Sequence, residues 1–137
     1  MESYRSFYFD CDSTLSSIEG VDELTRTLPP TQQAELAALT NQAMDGHVPL
    51  ASIYEERLSQ VAPSAADLAR VGELYIANMV PDCAATIAAL LWLGKQVGII
   101  SGGLYQPVLD LAKHLNIPTS NVHAVPVLLD GSGQYTD

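Results

Sequence analysis

The sequence predicts an α/β fold, and three observations carry that prediction. An aromatic, strand-like run at residues 7–9 ends at Asp10 and Asp12. A second apolar run, at residues 97–100, has the composition of a buried parallel strand and stops at three small residues, 101–103. Between and after these runs, apolar residues recur at helical spacing. We therefore expect a parallel sheet whose strands are joined by helices.

Asp10 and Asp12 are separated by one residue, so an extended backbone would place both side chains on one side. Two like charges this close cost free energy unless a cation, hydrogen bonds or protonation compensates. The pair suits phosphoryl transfer, in which one carboxylate attacks phosphorus and its neighbour donates a proton to the leaving oxygen. A hard divalent cation would hold the attacking oxygens and the phosphate together. The alternative is a simple turn, because Asp and Ser are common turn residues.

The small residues after the second strand, Ser101, Gly102 and Gly103, favour the same chemistry. Ligands gather beyond the carboxyl ends of parallel strands, and small residues there let backbone N–H groups approach a phosphate. Taken alone, the triplet is equally typical of an ordinary turn. Two strands that both end in groups suited to phosphate chemistry predict a phosphate site at one edge of the sheet.

The chain of 137 residues is strongly acidic, with 16 acidic residues against 6 Lys and Arg and a net charge of −10. This disfavours nucleic acids and anionic membranes as partners, since both require clustered positive charge. Cys11 and Cys83 form neither a CxxC pair nor a metal-ligand spacing, which indicates a reduced, cytoplasmic protein. We find no secretory signal, and the longest apolar stretch, residues 83–93, is too short to span a bilayer and predicts a buried helix.

Helices are expected to dominate the chain between the two strands. Capping residues, glycines and prolines mark the boundaries of these helices. Tyr8 and Phe9, in the first strand, are expected in the core. We expect a helix over 31–45, preceded by Pro30 and ended by Gly46, and a second helix over 50–61. A third helix is opened by a Ser64–Asp67 capping box and carries the apolar stripe Leu68, Val71, Gly72, Tyr75 and Met79. The remaining expected elements are a helix over 83–93 capped by Asp82 and ended by Gly94, a helix after Pro107, a strand over 122–129 and a turn at 130–133.

Arg57 occupies a position of the 50–61 helix where the pattern requires an apolar side chain. One interpretation is that its stem covers the apolar face while its guanidinium reaches water. The other is an anion receptor that faces the sheet and binds a carboxylate with two hydrogen bonds. Glu19 could supply the opposite charge. Together the two residues would suit a zwitterion such as an amino-acid phosphate.

These motifs resemble those of the phosphoserine phosphatase branch of the haloacid dehalogenase superfamily. They occur in the order of that family, at comparable spacing, and cover essentially the whole chain. The matching segments are Asp10-Cys11-Asp12-Ser13-Thr14, Ile18-Glu19-Gly20-Val21-Asp22-Glu23-Leu24, Ala43-Met44-Asp45-Gly46, Arg57 and Ile100-Ser101-Gly102-Gly103.

The resemblance implies a Rossmann-like core over residues 1–15 and 78–137, with a helical cap over residues 16–77. It implies a metal-dependent phosphomonoester phosphatase for O-phosphoserine or a similar small phosphorylated metabolite. Asp10 would be the nucleophile, Asp12 the general acid and base, and Mg²⁺ would bind the Asp10 carboxylate and the Asp12 backbone carbonyl. The implied substrate- and phosphate-binding residues are Glu19, Met44, Arg57, Ser101, Gly102 and Gly103.

Two further motifs of the family, a lysine and an acidic pair, are not found in the sequence. Lys95 and Lys113 precede the place expected for the lysine, and the acidic residues near 130 are better explained by a hairpin turn. The chain is therefore either a fragment that lacks the C-terminal part of the core or a natural relative that lost turnover. In both cases we expect the 137-residue chain to bind Mg²⁺ weakly and to have little phosphatase activity alone. The first strand would then expose an edge that could mediate self-association.

Two alternatives remain open at the level of sequence. One is a non-catalytic module that binds phosphate or an amino-acid phosphate through the same residues. The other is a phospho-accepting receiver domain, which also carries an aspartate at a strand end but would lack the cap and the segment at residues 18–24.

Overall fold

The computed structural model describes residues 3–137, and the described chain forms a three-stranded parallel sheet with six α-helices. The predicted α/β class is confirmed. The elements in order are β1 (Ser6–Phe9), α1 (Gly20–Thr25), α2 (Pro30–Met44), α3 (Leu50–Val61), α4 (Ala65–Ala77), α5 (Cys83–Trp92), β2 (Gln96–Leu104), α6 (Tyr105–His114), a short 3₁₀ turn (Thr119–Asn121) and β3 (Val122–Val125).

The sheet has the order β1-β2-β3, and both pairs of neighbours are parallel. Phe9 pairs with Ile99 of β2, and Ile99 also pairs with Val122 of β3. This register places Asp10 and Ser101 at the same edge of the sheet, where the sequence predicts a site. The pairing of β2 with β3 is irregular between Ile100 and Leu104, the stretch that contains the predicted phosphate loop.

The core lies between the sheet and the α4–α6 pair, which pack against each other. Val97 and Ile99 of β2 are buried, and Leu111 of α6 and Val71 of α4 contribute side chains with almost no exposed surface. Helices α1, α2 and α3 pack together beyond the carboxyl edge of the sheet, and α2 buries only Leu36 fully. The last helix of the predicted cap segment, α4, thus packs against α6 of the predicted core.

The chain enters and leaves the predicted cap through two segments that are hydrogen-bonded to each other. The fully buried Ser16 hydroxyl donates to the Tyr75 carbonyl at 2.9 Å. The Ser17 N–H donates to the Asn78 carbonyl at 2.9 Å, and the Val80 N–H donates to the Leu15 carbonyl at 3.0 Å. These bonds hold the end of α4 and the segment after it against the loop that follows β1.

Several helix boundaries are confirmed because their residue types have a direct conformational cause. Pro30 is the first residue of α2, where a missing N–H costs nothing. Gly46 and Gly94 adopt positive φ angles of 79° and 70° after their helices. Ser64 and Asp67 form the predicted capping box at the start of α4.

Other boundaries were predicted wrongly. β3 ends at Val125 rather than at residue 129, because Pro126 has no N–H to continue the ladder, and Leu129 instead bridges Tyr135 across the predicted turn. Asp82 makes no side-chain cap; its backbone carbonyl accepts from the Thr86 N–H. Met79 lies beyond the end of α4 and bridges Ser16.

Burial also departs from two of the predictions. Helix α5 is buried on one face only, through Cys83 and Ile87, while Trp92 at its end is 85% exposed. Tyr8 was expected in the core but is 41% exposed, because it points to the opposite face of the strand from Phe7 and Phe9. Among residues 3–137, no helix is both long and apolar enough to cross a membrane.

Candidate active site

Asp10 precedes a sharp turn at the carboxyl end of β1, and Asp12 lies within that turn. The Asp10 carboxylate accepts a hydrogen bond from the Cys11 N–H at 2.8 Å. The backbone N–H groups of Thr14, Leu15 and Ser16 point to the Cys11 carbonyl at 3.0–3.2 Å, and Ser13 has a φ angle of 53°. A non-glycine residue in this left-handed conformation is uncommon and is often found at functional sites.

The Asp12 carboxylate is held by the start of α1 and by α4. Its Oδ1 accepts a hydrogen bond from the Gly20 N–H at 2.9 Å and another from the Tyr75 hydroxyl. Because Tyr75 is fully buried, its hydroxyl requires a partner, and Asp12 is that partner. The carboxylate therefore has one fixed oxygen and one that lies toward Gly103.

The loop from Ser101 to Gly103 approaches Asp12 closely. The Gly103 N–H donates to the Ser101 hydroxyl oxygen at 2.9 Å. A Cβ atom placed on Gly103 would lie 2.6 Å from Asp12 Oδ2 and 3.1 Å from the Tyr75 hydroxyl oxygen. Only glycine leaves room for this approach.

Charged and hydroxyl side chains from α1 and α3 close the opposite side of the site. Arg57 of α3 forms an ion pair with Asp22 of α1, and the Arg57 side chain is 19% exposed. Glu19 accepts a hydrogen bond from the Ser13 hydroxyl at 2.5 Å. The Tyr54 hydroxyl donates to the Gly102 carbonyl at 2.9 Å, so α3 contacts the predicted phosphate loop directly.

These groups enclose a cavity of about 290 Å³. Six of the eight predicted site residues line it, namely Asp10, Asp12, Glu19, Arg57, Gly102 and Gly103. Ser101 belongs to the same loop as Gly102 and Gly103 but does not line the cavity. Met44 is 76% exposed at the end of α2 and does not line the cavity, whereas Ile53 and Thr40 do.

A larger, open groove of about 900 Å³ lies beside this cavity, between α3 and the segment after β3. Its charged lining residues are the acidic Glu55, Glu56 and Asp137. Repulsion between these carboxylates and a phosphate makes the groove unsuited to a phosphorylated ligand. The smaller cavity, which contains the paired aspartates and Arg57, is therefore the candidate site.

Burial and the aspartates control the protonation of three neighbouring side chains. Burial raises the pKa of the Cys11 thiol, and the charges of Asp12 and Asp10 raise it further. Burial also raises the pKa of Tyr54 to about 12, with a further contribution from Asp12. Burial and the hydrogen bond to Asp12 raise the pKa of Tyr75. All three groups are neutral near pH 7, so Cys11 is not a nucleophile and both tyrosines are hydrogen-bond donors.

Sequence reasoning missed three residues that shape the site. Tyr75 was interpreted as part of the apolar stripe of α4, although a tyrosine on a buried stripe signals a partner for its hydroxyl. Asp22 lies in the first turn of α1, where acidic residues are common, and its pairing with Arg57 is visible only in the structure. Tyr54 follows the apolar spacing of α3, and nothing in that spacing indicates its bond to Gly102.

Oxygen ligands for a hard cation are present but few. Within residues 3–137, no three His, Cys, Asp or Glu side chains lie close enough together to hold a metal ion. The Asp10 carboxylate and the Asp12 backbone carbonyl nevertheless fit Mg²⁺, because this ion commonly binds one or two protein oxygens and completes its shell with water and phosphate. These two oxygen donors are therefore compatible with a hard divalent cation whose other ligands would be water and phosphate.

The sequence and the structure were compared with those of known proteins. No protein-family model matches the chain. Phosphoserine phosphatase from Rattus norvegicus is 33% identical over 127 residues, which are 93% of this chain and 56% of that protein. The chain thus spans about half the length of this relative.

Two solved structures have the same fold as this chain. A phosphoserine phosphohydrolase-like protein from Francisella tularensis superposes with a TM-score of 0.79 at 24% identity, covering 98% of this chain and 64% of that one. A hydrolase of the haloacid dehalogenase (HAD) family from Salmonella enterica gives a TM-score of 0.81 at 24% identity, covering 95% and 43% of the two chains. The fold, the order of the motifs and the sequence relatives agree. The chain belongs to the haloacid dehalogenase superfamily, in the branch that contains the phosphoserine phosphatases.

Proposed function

We propose that this chain carries the nucleophile and the substrate pocket of a metal-dependent phosphomonoester phosphatase. The observation that supports this most directly is the arrangement of Asp10 and Asp12 beside the loop from Ser101 to Gly103 at one edge of the sheet. In this arrangement Asp10 would be the nucleophile and Asp12 the proton donor, and both line one small cavity together with the backbone of Gly102. The sequence relatives named phosphoserine phosphatase support the same reaction class.

The proposed reaction has two chemical steps. A carboxylate oxygen of Asp10 attacks phosphorus and forms an aspartyl phosphate, while the ester P–O bond breaks and Asp12 gives a proton to the leaving oxygen. A water molecule then attacks phosphorus, Asp12 takes a proton from it, and the bond from phosphorus to Asp10 breaks. Inorganic phosphate and the free alcohol are the products.

Mg²⁺, when held by the Asp10 carboxylate and the Asp12 carbonyl, would neutralise charge between the nucleophile and the phosphate. The protein groups act beside it. The Ser101 hydroxyl, whose oxygen accepts from the Gly103 N–H, and the backbone N–H of Gly102 would hold the phosphoryl oxygens. The Gly20 N–H would hold Asp12 in place.

Arg57 and Glu19 support a zwitterionic substrate such as O-phosphoserine. The Arg57 guanidinium is already ion-paired with Asp22 at the cavity wall, and it would bind a substrate carboxylate with charge-assisted hydrogen bonds. Glu19 lines the same cavity and would accept from an ammonium group. The cavity of about 290 Å³ suits a small metabolite and not a polymer. A cytoplasmic location would match such a metabolite.

The second candidate is a non-catalytic module that binds an amino-acid phosphate. Its support is that Arg57, Glu19 and Gly102 line one cavity, so an amino-acid phosphate could bind there without attack by Asp10. This candidate predicts that phosphoserine binds but is not hydrolysed.

A phosphate-release assay separates the two candidates. The full-length protein that carries this chain should release phosphate from O-phosphoserine in the presence of Mg²⁺ and stop when the metal is chelated. Asp10→Asn should abolish release, whereas Asp12→Asn should slow it and leave phosphoserine binding largely intact. Binding of phosphoserine with no release by the wild-type protein would reject the phosphatase in favour of the binding module.

A further inference from the structure

The Tyr75 side chain is placed to act on Asp12 from inside the core. Tyr75 lies on α4, 63 residues along the chain from Asp12, and it has no exposed surface. Its hydroxyl donates to Asp12 Oδ1, the same oxygen that accepts from the Gly20 N–H at 2.9 Å. Within residues 3–137 both donors are on Oδ1, and none is on Oδ2.

The Tyr75 hydroxyl lies between two glycines, whose lack of a side chain leaves room for it. A Cβ atom on Gly20 would lie 2.3 Å from the hydroxyl oxygen, and one on Gly103 would lie 3.1 Å from it. The hydroxyl therefore occupies a slot between the start of α1 and the predicted phosphate loop. Packing alone does not require it, because a phenylalanine ring would fill the same part of the core.

We propose that Tyr75 is a positioning residue that fixes Asp12 Oδ1, so that Oδ2, which faces the cavity beside Gly103, carries the transferred proton. This inference rests on the proposed phosphatase function and adds a residue to it. In the first step the proton leaves Asp12 Oδ2 for the ester oxygen as the P–O bond breaks. In the second step the same Oδ2 takes a proton from the attacking water.

Tyr75→Phe removes only the hydroxyl. A comparison of two phosphate esters, one with a leaving group that needs a proton and one with a leaving group that does not, shows whether proton donation by Asp12 has been lost. An alkoxide such as that of serine leaves poorly unless it is protonated, whereas p-nitrophenolate leaves without a proton. The kcat/KM value covers the steps up to departure of the leaving group. Because well-placed general acids contribute about 10²–10⁴-fold, we expect Tyr75→Phe to lower kcat/KM for O-phosphoserine by roughly ten- to a hundredfold. The value for p-nitrophenyl phosphate should stay within about threefold of wild type.

A double-mutant cycle tests whether Tyr75 acts through Asp12. In an Asp12→Asn background, Tyr75→Phe should cause little further loss, since the group that it positions can no longer transfer a proton. Tyr105→Phe, at a half-buried tyrosine of α6 outside the site, serves as the matched control and should behave like wild type. Retained turnover of the aryl ester also shows that the Tyr75 variant is folded.

Three results would overturn the inference. Equal losses on the two esters would mean that Tyr75 supports the fold and not proton transfer, and so would an additive loss on top of Asp12→Asn. A full-length wild-type protein that hydrolyses neither ester would overturn the proposed function and this inference with it. The wild-type measurement therefore distinguishes the failure of one from the failure of the other.

Discussion

At the scale of single residues, the site consists of charged groups whose partners come from distant parts of the chain. Asp12 is bound by Gly20 and Tyr75, and Arg57 is bound by Asp22. These bonds determine which atoms of Asp12 and Arg57 remain available to a ligand. Asp12 presents one free oxygen, and Arg57 presents the guanidinium N–H groups that Asp22 does not occupy.

Removal of Arg57 should weaken the binding of carboxylate-bearing esters selectively. Charge-assisted hydrogen bonds contribute about 1.5–3 kcal/mol, so Arg57→Ala should weaken the binding of O-phosphoserine by a factor of roughly ten to a hundred and fifty. O-phosphoethanolamine, which has the ammonium and phosphate groups but no carboxylate, should be nearly unaffected. Competition binding of the two esters provides the measurement.

Arg26→Ala is a suitable control for this prediction. Arg26 is 70% exposed and pairs with Glu23 on the surface of the same group of helices, so its removal should change neither affinity. Equal weakening of both esters by Arg57→Ala would show that Arg57 maintains the fold through Asp22 and does not recognise the carboxylate.

The sequence revealed the site residues that are close together in the chain but not their distant partners. Asp10 and Asp12 are visible because two carboxylates one residue apart at a strand end have few structural explanations. Tyr75 and Asp22 are not, because their local patterns are those of a core tyrosine and a helix N-terminus. Only the tertiary structure shows that these residues contact Asp12 and Arg57.

At the scale of elements, the ends of helices were the most predictable features. Glycines at positive φ, a proline at the first helical position and a capping box act within a few residues of sequence. The extent of β3 was less predictable, because its apolar run continues past the proline that ends the ladder. The burial of α5 was also misjudged, since an alanine-rich helix looks apolar on every face.

The capping box of α4 makes a measurable contribution to stability. The Ser64 hydroxyl donates to Asp67 at 2.7 Å and accepts from the Asp67 N–H at 3.2 Å. Hydrogen bonds from the Ser64 side chain and backbone lower the pKa of Asp67 below its ordinary value of 3.8. Ser64→Ala should reduce the free energy of unfolding by about 1 kcal/mol at pH 7.

The pH dependence of this effect follows from the lowered pKa of Asp67. Because the folded state favours the charged carboxylate, the stabilisation is present above pH 3.8 and is lost as pH falls through the folded pKa. The difference between wild type and Ser64→Ala in urea unfolding should therefore shrink at low pH. Ser59→Ala, at an exposed position of α3, should have little effect, and a Ser64→Ala difference unchanged down to pH 2 would refute the role of Asp67.

At the scale of the whole molecule, β1 is the edge of the described sheet. Within residues 3–137 it pairs only with β2, so the backbone groups along its other side have no strand partner. The half-exposed Tyr8 lies on this strand. An edge strand without charged side chains readily pairs with another chain.

The 137-residue chain should accordingly self-associate through β1. Light scattering after size exclusion should give an apparent mass that increases with protein concentration. Tyr8→Lys, which places a charge on the edge strand, should shift the chain toward monomer. Tyr4→Lys changes an 82% exposed tyrosine outside the strand and should not. A wild-type chain that stays monomeric at every concentration would contradict this prediction.

The most direct test of the proposed function is to trap the covalent intermediate. Full-length wild-type protein mixed with ³²P-labelled O-phosphoserine and Mg²⁺, then quenched in acid, should retain label on the peptide that contains Asp10. Asp10→Asn should retain none and release no phosphate, while Asp12→Asn should still bind the substrate. Turnover of phosphoserine by Asp10→Asn, or label attached to a residue other than Asp10, would contradict the assignment of Asp10 as the nucleophile.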